Sequence, residues 1–246
     1  MLTDSGEHIF ALHIPNFWKS TALKNDKIQE IDDRDIMHHL VKVLRVQLHD
    51  QFIFFDREYH GLVQVAQISK KNIAVRIVNV ETNLVSKQKV TFLLPLLKKE
   101  ALEQAVYSLS EIGVSCIQLV ITQKSRQKLL HDKEFDRLQS IIIAAAQQSK
   151  NYCYPHLLQP KILQEVIDVL PSFNIVFDAA GKSFFELHAS ASQAKDINLL
   201  IGPEAGLTQS ELSLAAQKSF QACRLTATTL RAVQAVVVGC ALFKLT

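Results

Sequence analysis

From residue 90 onward, short apolar runs alternate with stretches of helical periodicity, and few architectures accept that rhythm. Residues 90–94, 114–121, 173–177 and 197–201 are rich in β-branched and other apolar side chains, whereas 98–112, 134–149 and 208–219 carry helical spacing. Strands that alternate with helices pair in parallel, because each crossover lays a helix on the sheet and both faces become buried. The stretch 230–245 is too apolar to stand in water as a free helix, and it is expected to pack on the sheet or on another subunit.

The first third has a different rhythm. Segments 7–14, 51–55, 61–68 and 72–80 read as short strands, the last alternating Ile73, Val75 and Ile77 with polar or small neighbours. One helix interrupts them over 33–45, opened by acidic residues and closed by Arg45, as the helix dipole favours. This pattern predicts a small barrel-like β domain. The polar stretch 81–89 reads as a linker, so we expect a β domain over 1–80 and an α/β domain over 81–246.

Composition narrows the chemistry. Seven glycines in 246 residues form neither a G-x-G-x-x-G fingerprint nor a phosphate-cradling G-x-x-x-x-G-K-[ST] loop. The usual sequence marks of nicotinamide enzymes and P-loop NTPases are therefore missing. A net charge of +3 is too mild to prove a nucleic-acid partner by itself. Cys116, Cys153, Cys223 and Cys240 form no C-x-x-C pair, which argues against a disulfide framework or structural zinc and suggests a reducing, cytoplasmic setting. His38 and His39 project about 100° apart on a helix, so they do not suggest a metal site. Asp4 and Glu7 speak against a signal peptide, and no run reaches the roughly 20 apolar residues of a membrane span.

An open parallel sheet binds ligands beyond the carboxyl ends of its strands. There, the run 197–201 leads into Gly202, Pro203, Glu204, Ala205 and Gly206, followed by Thr208 as N-cap and Glu211 at the capping-box position. This is either a ligand loop with bare backbone and a displayed carboxylate, or a well-capped turn. In L-T-A-T-T-L-R-A-V-Q-A (225–235), Arg231 is the sole charge between Arg224 and Lys244, and a cation opening a helix suits an anionic ligand or simply solvent. Asp178, Ala179, Ala180 and Gly181 make a third strand-end loop. Lys42 with Arg45, Lys98 with Lys99, and Lys124 with Arg126 and Lys128 are candidate phosphate contacts or solvated faces.

These residues resemble the RsmE family, S-adenosylmethionine-dependent methyltransferases acting on the N3 atom of a uridine in small-subunit (16S) ribosomal RNA. L-I-G-P-E-A-G-L (200–207) is similar to that family's I-G-P-E-G-G-F/L. H-L-V-K-V-L-R (39–45), E-I-G-V (111–114), A-A-A-Q-Q-S-K-N-Y-C-Y-P (144–155) and Leu230-Arg231 match its H-L-x-x-V-L-R, E-L-G-V, A-A-E-Q-x-G-R-x-x-x-P and L-R-T-E-T-A in order and spacing. The resemblance implies a PUA-like β domain, a SPOUT-type α/β domain with a trefoil knot, a homodimer, and ribosomal RNA or the assembled small subunit as partner. It places the cofactor against Ile201, Gly202, Pro203, Glu204, Gly206, Leu225 and Leu230. Arg231 would then stabilise negative charge on the uracil, with Glu204 orienting the loop or substrate. Departures gather in the last motif, where Thr228 replaces an Arg and Ala232, Val233 and Gln234 replace Thr-Glu-Thr. Glycines of the pattern are missing at Lys150, Ala205 and Thr226. A relative that keeps the fold and its binding functions but has altered chemistry is the alternative.

Overall fold

The computed structural model describes residues 9–20, 25–69, 71–168 and 173–244. Asp4, Glu7 and the start of the first expected strand lie outside these residues, as does residue 245. The chain divides into two compact units, residues 1–85 with 147–153, and residues 86–146 with 154–246.

The first unit contains β1 (Ala11–His13), α1 (Phe17–Ser20), β2 (Ile28–Ile31), α2 (Arg34–His38), β3 (Gln51–Phe55), β4 (Tyr59–Ile68), β5 (Ile73–Ile77) and β6 (Glu81–Thr82). Its sheet has the order β1-β3-β4-β5-β2, with β6 added to β4. The β1–β3 pair is parallel and the other pairs are antiparallel. Alternate residues of β4, Val63 and Val65, face a core shared with Trp18, Phe54, Ile73 and Ile77. β2 was not expected, and β6 falls inside the stretch read as a linker. Asp33 caps α2, its carboxylate accepting from the N–H groups of Asp35 and Ile36 at 3.0 Å each. The helix expected over 33–45 changes to a π-helical turn at His39–Val43, buries Leu40, and gives way to a left-handed Arg45. Residues 147–153 belong to this unit: Gln147 donates to the Ala11 carbonyl at 3.1 Å, and Tyr152 lies against the rings of Phe55 and His60.

The second unit has the expected α/β alternation. It runs β7 (Lys89–Pro95), α3 (Lys99–Ile112), β8 (Cys116–Ile121), α4 (Asp132–Ser149, whose last three residues are counted with the first unit), β9 (His156–Ile162), α5 (Leu163–Ile167), β10 (Phe173–Ser183), α6 (Phe184–Gln193), β11 (Asp196–Leu200), α7 (Gln209–Gln217), β12 (Phe220–Arg224) and α8 (Ala232–Lys244). Every strand pair is parallel, in the order β12-β10-β11-β7-β8-β9. Strand alternation divides the core between the two faces. Phe92 and Leu94 pack with residues of α3, α4, α6 and α8, while Leu93 joins Leu163, Val166 and Ala215 from α5 and α7. The apolar terminal helix is accommodated within its own unit, burying Val236, Gly239, Cys240 and Phe243. β9 is an edge strand that carries Pro160 and mostly exposed residues, so it left no apolar run to read. No helix among the described residues is long and apolar enough to cross a membrane.

Candidate functional site

Parallel pairing brings the carboxyl ends of β7, β8, β10, β11 and β12 to one edge of the sheet, and the loops that leave them form the candidate site. The loop after β11 is the tightest. Gly206 donates its N–H to the Pro203 carbonyl at 2.7 Å and takes φ +70°, where a side chain would be strained. A Cβ on Gly202 would sit 2.8 Å from the Leu207 nitrogen, so the chain folds back directly over bare backbone. Ala205 is not among the residues with positive φ, and the missing glycine there costs the turn nothing. Ile201 and Pro203 are buried beneath it.

Neighbouring loops tie this one down. Glu204 is exposed, and its Oε1 accepts from the backbone N–H of Lys98 at 3.1 Å, at the N-terminus of α3, where a carboxylate is favoured. Glu211 completes the capping box expected with Thr208, its Oε2 accepting from the Thr208 N–H at 2.8 Å and hydroxyl at 3.1 Å. It also does what the sequence did not reveal: it is buried, and its Oε1 accepts from the N–H of Gln123 in the loop after β8, at 2.7 Å. From that same loop, Lys124 Nζ donates to the carbonyls of Ala205 at 3.1 Å and Leu207 at 3.3 Å.

A bulge in β10 and the loop after β12 border the edge. Phe177 and Lys182 both lie opposite Cys223, so residues 178–181, read from the sequence as a loop after the strand, are instead a bulge inside β10, where the Asp178 carboxylate accepts from the Ala180 N–H at 2.8 Å. A Cβ on Gly181 would fall 2.4 Å from the backbone carbon of Ala222, which places this bulge hard against the middle of β12. After β12 come half-buried Leu225 and Leu230 and exposed Arg231. The Arg231 carbonyl accepts the Ala235 N–H at 2.9 Å, which sets this residue at the entry to α8, and its guanidinium forms no ion pair among the described residues. Burial raises the Cys223 thiol to about 11 and Cys240 to about 12, so neither is a ready nucleophile at neutral pH.

The structure gathers Ile201, Gly202, Pro203, Glu204, Gly206, Leu225, Leu230 and Arg231 on loops of one sheet edge, together with Lys98, Lys99, Lys124 and Arg126, which follow β7 and β8. Lys42 and Arg45 are exposed on the first unit.

Comparison with known proteins matches two family patterns in order along the chain. Residues 85–244 match the RNA methyltransferase domain and residues 31–78 the RNA methyltransferase PUA domain. A Rickettsia conorii ribosomal RNA small subunit methyltransferase E is 27% identical over 92% of this chain and 93% of its own length. The Synechocystis protein of the same name is 29% identical over 83% of this chain and 69% of its own. In fold, the chain is similar to a putative methyltransferase from Legionella pneumophila solved with bound SAM, with TM-score 0.85, 23% identity and coverage of 97% of this chain and 98% of that one. A ribosomal RNA small subunit methyltransferase E from Neisseria gonorrhoeae, bound to S-adenosyl methionine, superposes with TM-score 0.84 at 22% identity, over 97% of this chain and 98% of that one.

Proposed function

Since the chain belongs to the RNA methyltransferase family, we propose that it moves a methyl group from S-adenosylmethionine to N3 of a uridine in small-subunit (16S) ribosomal RNA, in the bacterial cytoplasm. The observation that carries this reading is the 201–208 loop: a cradle of bare backbone at Gly202, framed by the strand-end loops around it. A side chain at Gly202 would fill the fold that the loop makes, and half-buried Leu225 and Leu230 offer apolar surface to a flat heterocycle. These residues suit a cofactor held mainly by main-chain groups. Ile201, Gly202, Pro203, Glu204, Gly206, Leu225 and Leu230 would hold it.

When bound, the cofactor supplies a methyl group activated on a sulfonium. The chain's task is to align the uracil with it, since in-line displacement gains most from near-attack geometry. Uridine N3 gives up its proton to water before it attacks, and Arg231 is the group proposed to favour that loss by stabilising the negative charge that spreads onto the ring oxygens. Glu204 contributes by fixing the loop to α3. Lys42, Arg45, Lys98, Lys99 and Arg126 are proposed as phosphate contacts, with residues 1–80 as a PUA-like RNA-binding domain and 81–246 as a SPOUT-type domain. A trefoil knot around these loops is proposed together with the SPOUT-type domain, on the resemblance of residues 200–207 and 225–235 to the family's motifs. The half-buried Val233, Val237 and Val238 of α8 support a homodimer.

Incubation of small ribosomal subunits from cells lacking the protein with purified chain and labelled S-adenosylmethionine should produce 3-methyluridine. Arg231→Ala should lower that rate by about a hundredfold, as loss of one charge-stabilising group commonly does. A wild-type rate in Arg231→Ala would remove the role given to it. The replacement of Thr-Glu-Thr by Ala232, Val233 and Gln234 favours a second reading, a chain that binds cofactor and RNA without methylating uridine; cofactor binding with no 3-methyluridine would establish it.

A further inference from the structure

Lys124 reads in the sequence as a phosphate contact, but its ammonium is committed to the chain itself. It reaches from the loop after β8 to two carbonyls of the 201–208 loop, those of Ala205 and Leu207. Each of these peptide units is also held at its other edge. The unit joining residues 205 and 206 donates its N–H to the Pro203 carbonyl, and the unit joining 207 and 208 donates to Glu211. Two peptide planes gripped at both edges fix the Cα atoms of Gly206 and Leu207, and the close approach of Gly202 to the Gly206 carbon and Leu207 nitrogen leaves the plane between them no room to turn about the axis that joins those atoms. That middle plane makes no hydrogen bond among the described residues, and its nitrogen lies over Gly202. The lacing is reciprocal, because the same β8 loop donates the Gln123 N–H to buried Glu211.

We propose that Lys124 is a positioning residue for the cofactor loop, acting with Glu211 to present the Gly206–Leu207 peptide in a fixed orientation. This rests on the reading that the loop binds S-adenosylmethionine. A rigid, pre-aligned hydrogen-bonding edge binds more tightly than one that must be ordered by its ligand. Lys124 therefore governs cofactor affinity and has little part in RNA affinity.

The test uses the full chain. In calorimetry with S-adenosylmethionine, Lys124→Ala should bind about tenfold more weakly, the size expected for losing charge-assisted hydrogen bonds at an exposed lysine. Lys124→Arg, which keeps the cation and its reach, should restore affinity to within about threefold. The rate at saturating cofactor should be retained, so that KM moves and kcat does not. In hydrogen exchange without ligand, the amides of Gly206 and Thr208 should exchange faster in Lys124→Ala than in the wild type. Unchanged amide exchange together with wild-type cofactor affinity would overturn the proposal. So would a loss of about one from the salt slope of RNA binding with cofactor affinity intact, the result expected of a phosphate contact. A wild-type chain that binds no S-adenosylmethionine would end the methyltransferase reading alone, because the exchange comparison still decides whether Lys124 holds the loop.

Discussion

Lys150 follows the last turn of α4 with φ at 58°, a left-handed conformation in which its Cβ crowds the backbone. The resemblance puts a glycine at this position, and the fold has kept the glycine's geometry without the glycine. Lys150→Gly should raise stability by about 0.5–1 kcal/mol, the relieved strain outweighing the added freedom of the unfolded chain, and a urea titration measures it as a higher midpoint. Ala205, which also replaces a family glycine, has no positive φ, so Ala205→Gly relieves nothing and should lower stability by about 0.5 kcal/mol. The sequence displays both replacements alike, and only backbone geometry separates them. Glu211 makes the same point for the site. Its capping-box role was legible from its spacing to Thr208, whereas its second bond, to Gln123, joins residues 88 positions apart and follows no local pattern.

At the scale of elements, what was legible is what leaves a periodic trace. β7, α3, β8, α4, β11, α7 and α8 fall close to the expected stretches because their apolar faces are continuous. β2 and β9 are short or exposed, and β6 has two residues, too few for any period. The extension of β10 to Ser183 depends on β12, which pairs with it on both sides of the 178–181 bulge. The fit of α8 is likewise a tertiary matter. A Cβ on Gly239 would approach two carbons of the Phe177 ring at 2.4 and 2.5 Å, so helix and sheet meet there with no space for a methyl group. Gly239→Ala should cost about 1–3 kcal/mol despite the better helix propensity of alanine. Phe177→Leu in the same chain should recover part of that loss, since it shortens the side chain that collides. A double-mutant cycle by thermal unfolding reads the coupling, and strictly additive effects would show that the two residues do not meet as described.

For the molecule as a whole, the two units carry different titrating groups, and this separates their responses to acid. In the first unit, burial holds the His13 imidazole below its ordinary 6.5, with Asp56 opposing. The unfolded chain then binds the proton more tightly than the folded one, so this unit should lose stability as the pH falls below about 6.5. In the second unit, burial raises the thiols of Cys223 and Cys240 from 9.0 to about 11 and 12. Here the folded state holds the proton more tightly, so their contribution is complete below pH 9 and is lost as the pH climbs towards 11 and 12. The chain supplies its own reporters. Its single tryptophan, Trp18, is 1% exposed in the core of the first unit, while Cys223 and Cys240 are buried in the second. On acid titration, the emission of Trp18 should shift to the red before Cys223 and Cys240 become open to dithiodipyridine, a thiol reagent that works at acid pH. Cys116 and Cys153, half-buried, should react throughout and give the baseline. His13→Leu should move the tryptophan transition to lower pH and leave the onset of thiol exposure where it was. If both transitions moved together, the acid response would belong to one cooperative unit spanning the chain, and assigning it to His13 within the first unit alone would be wrong.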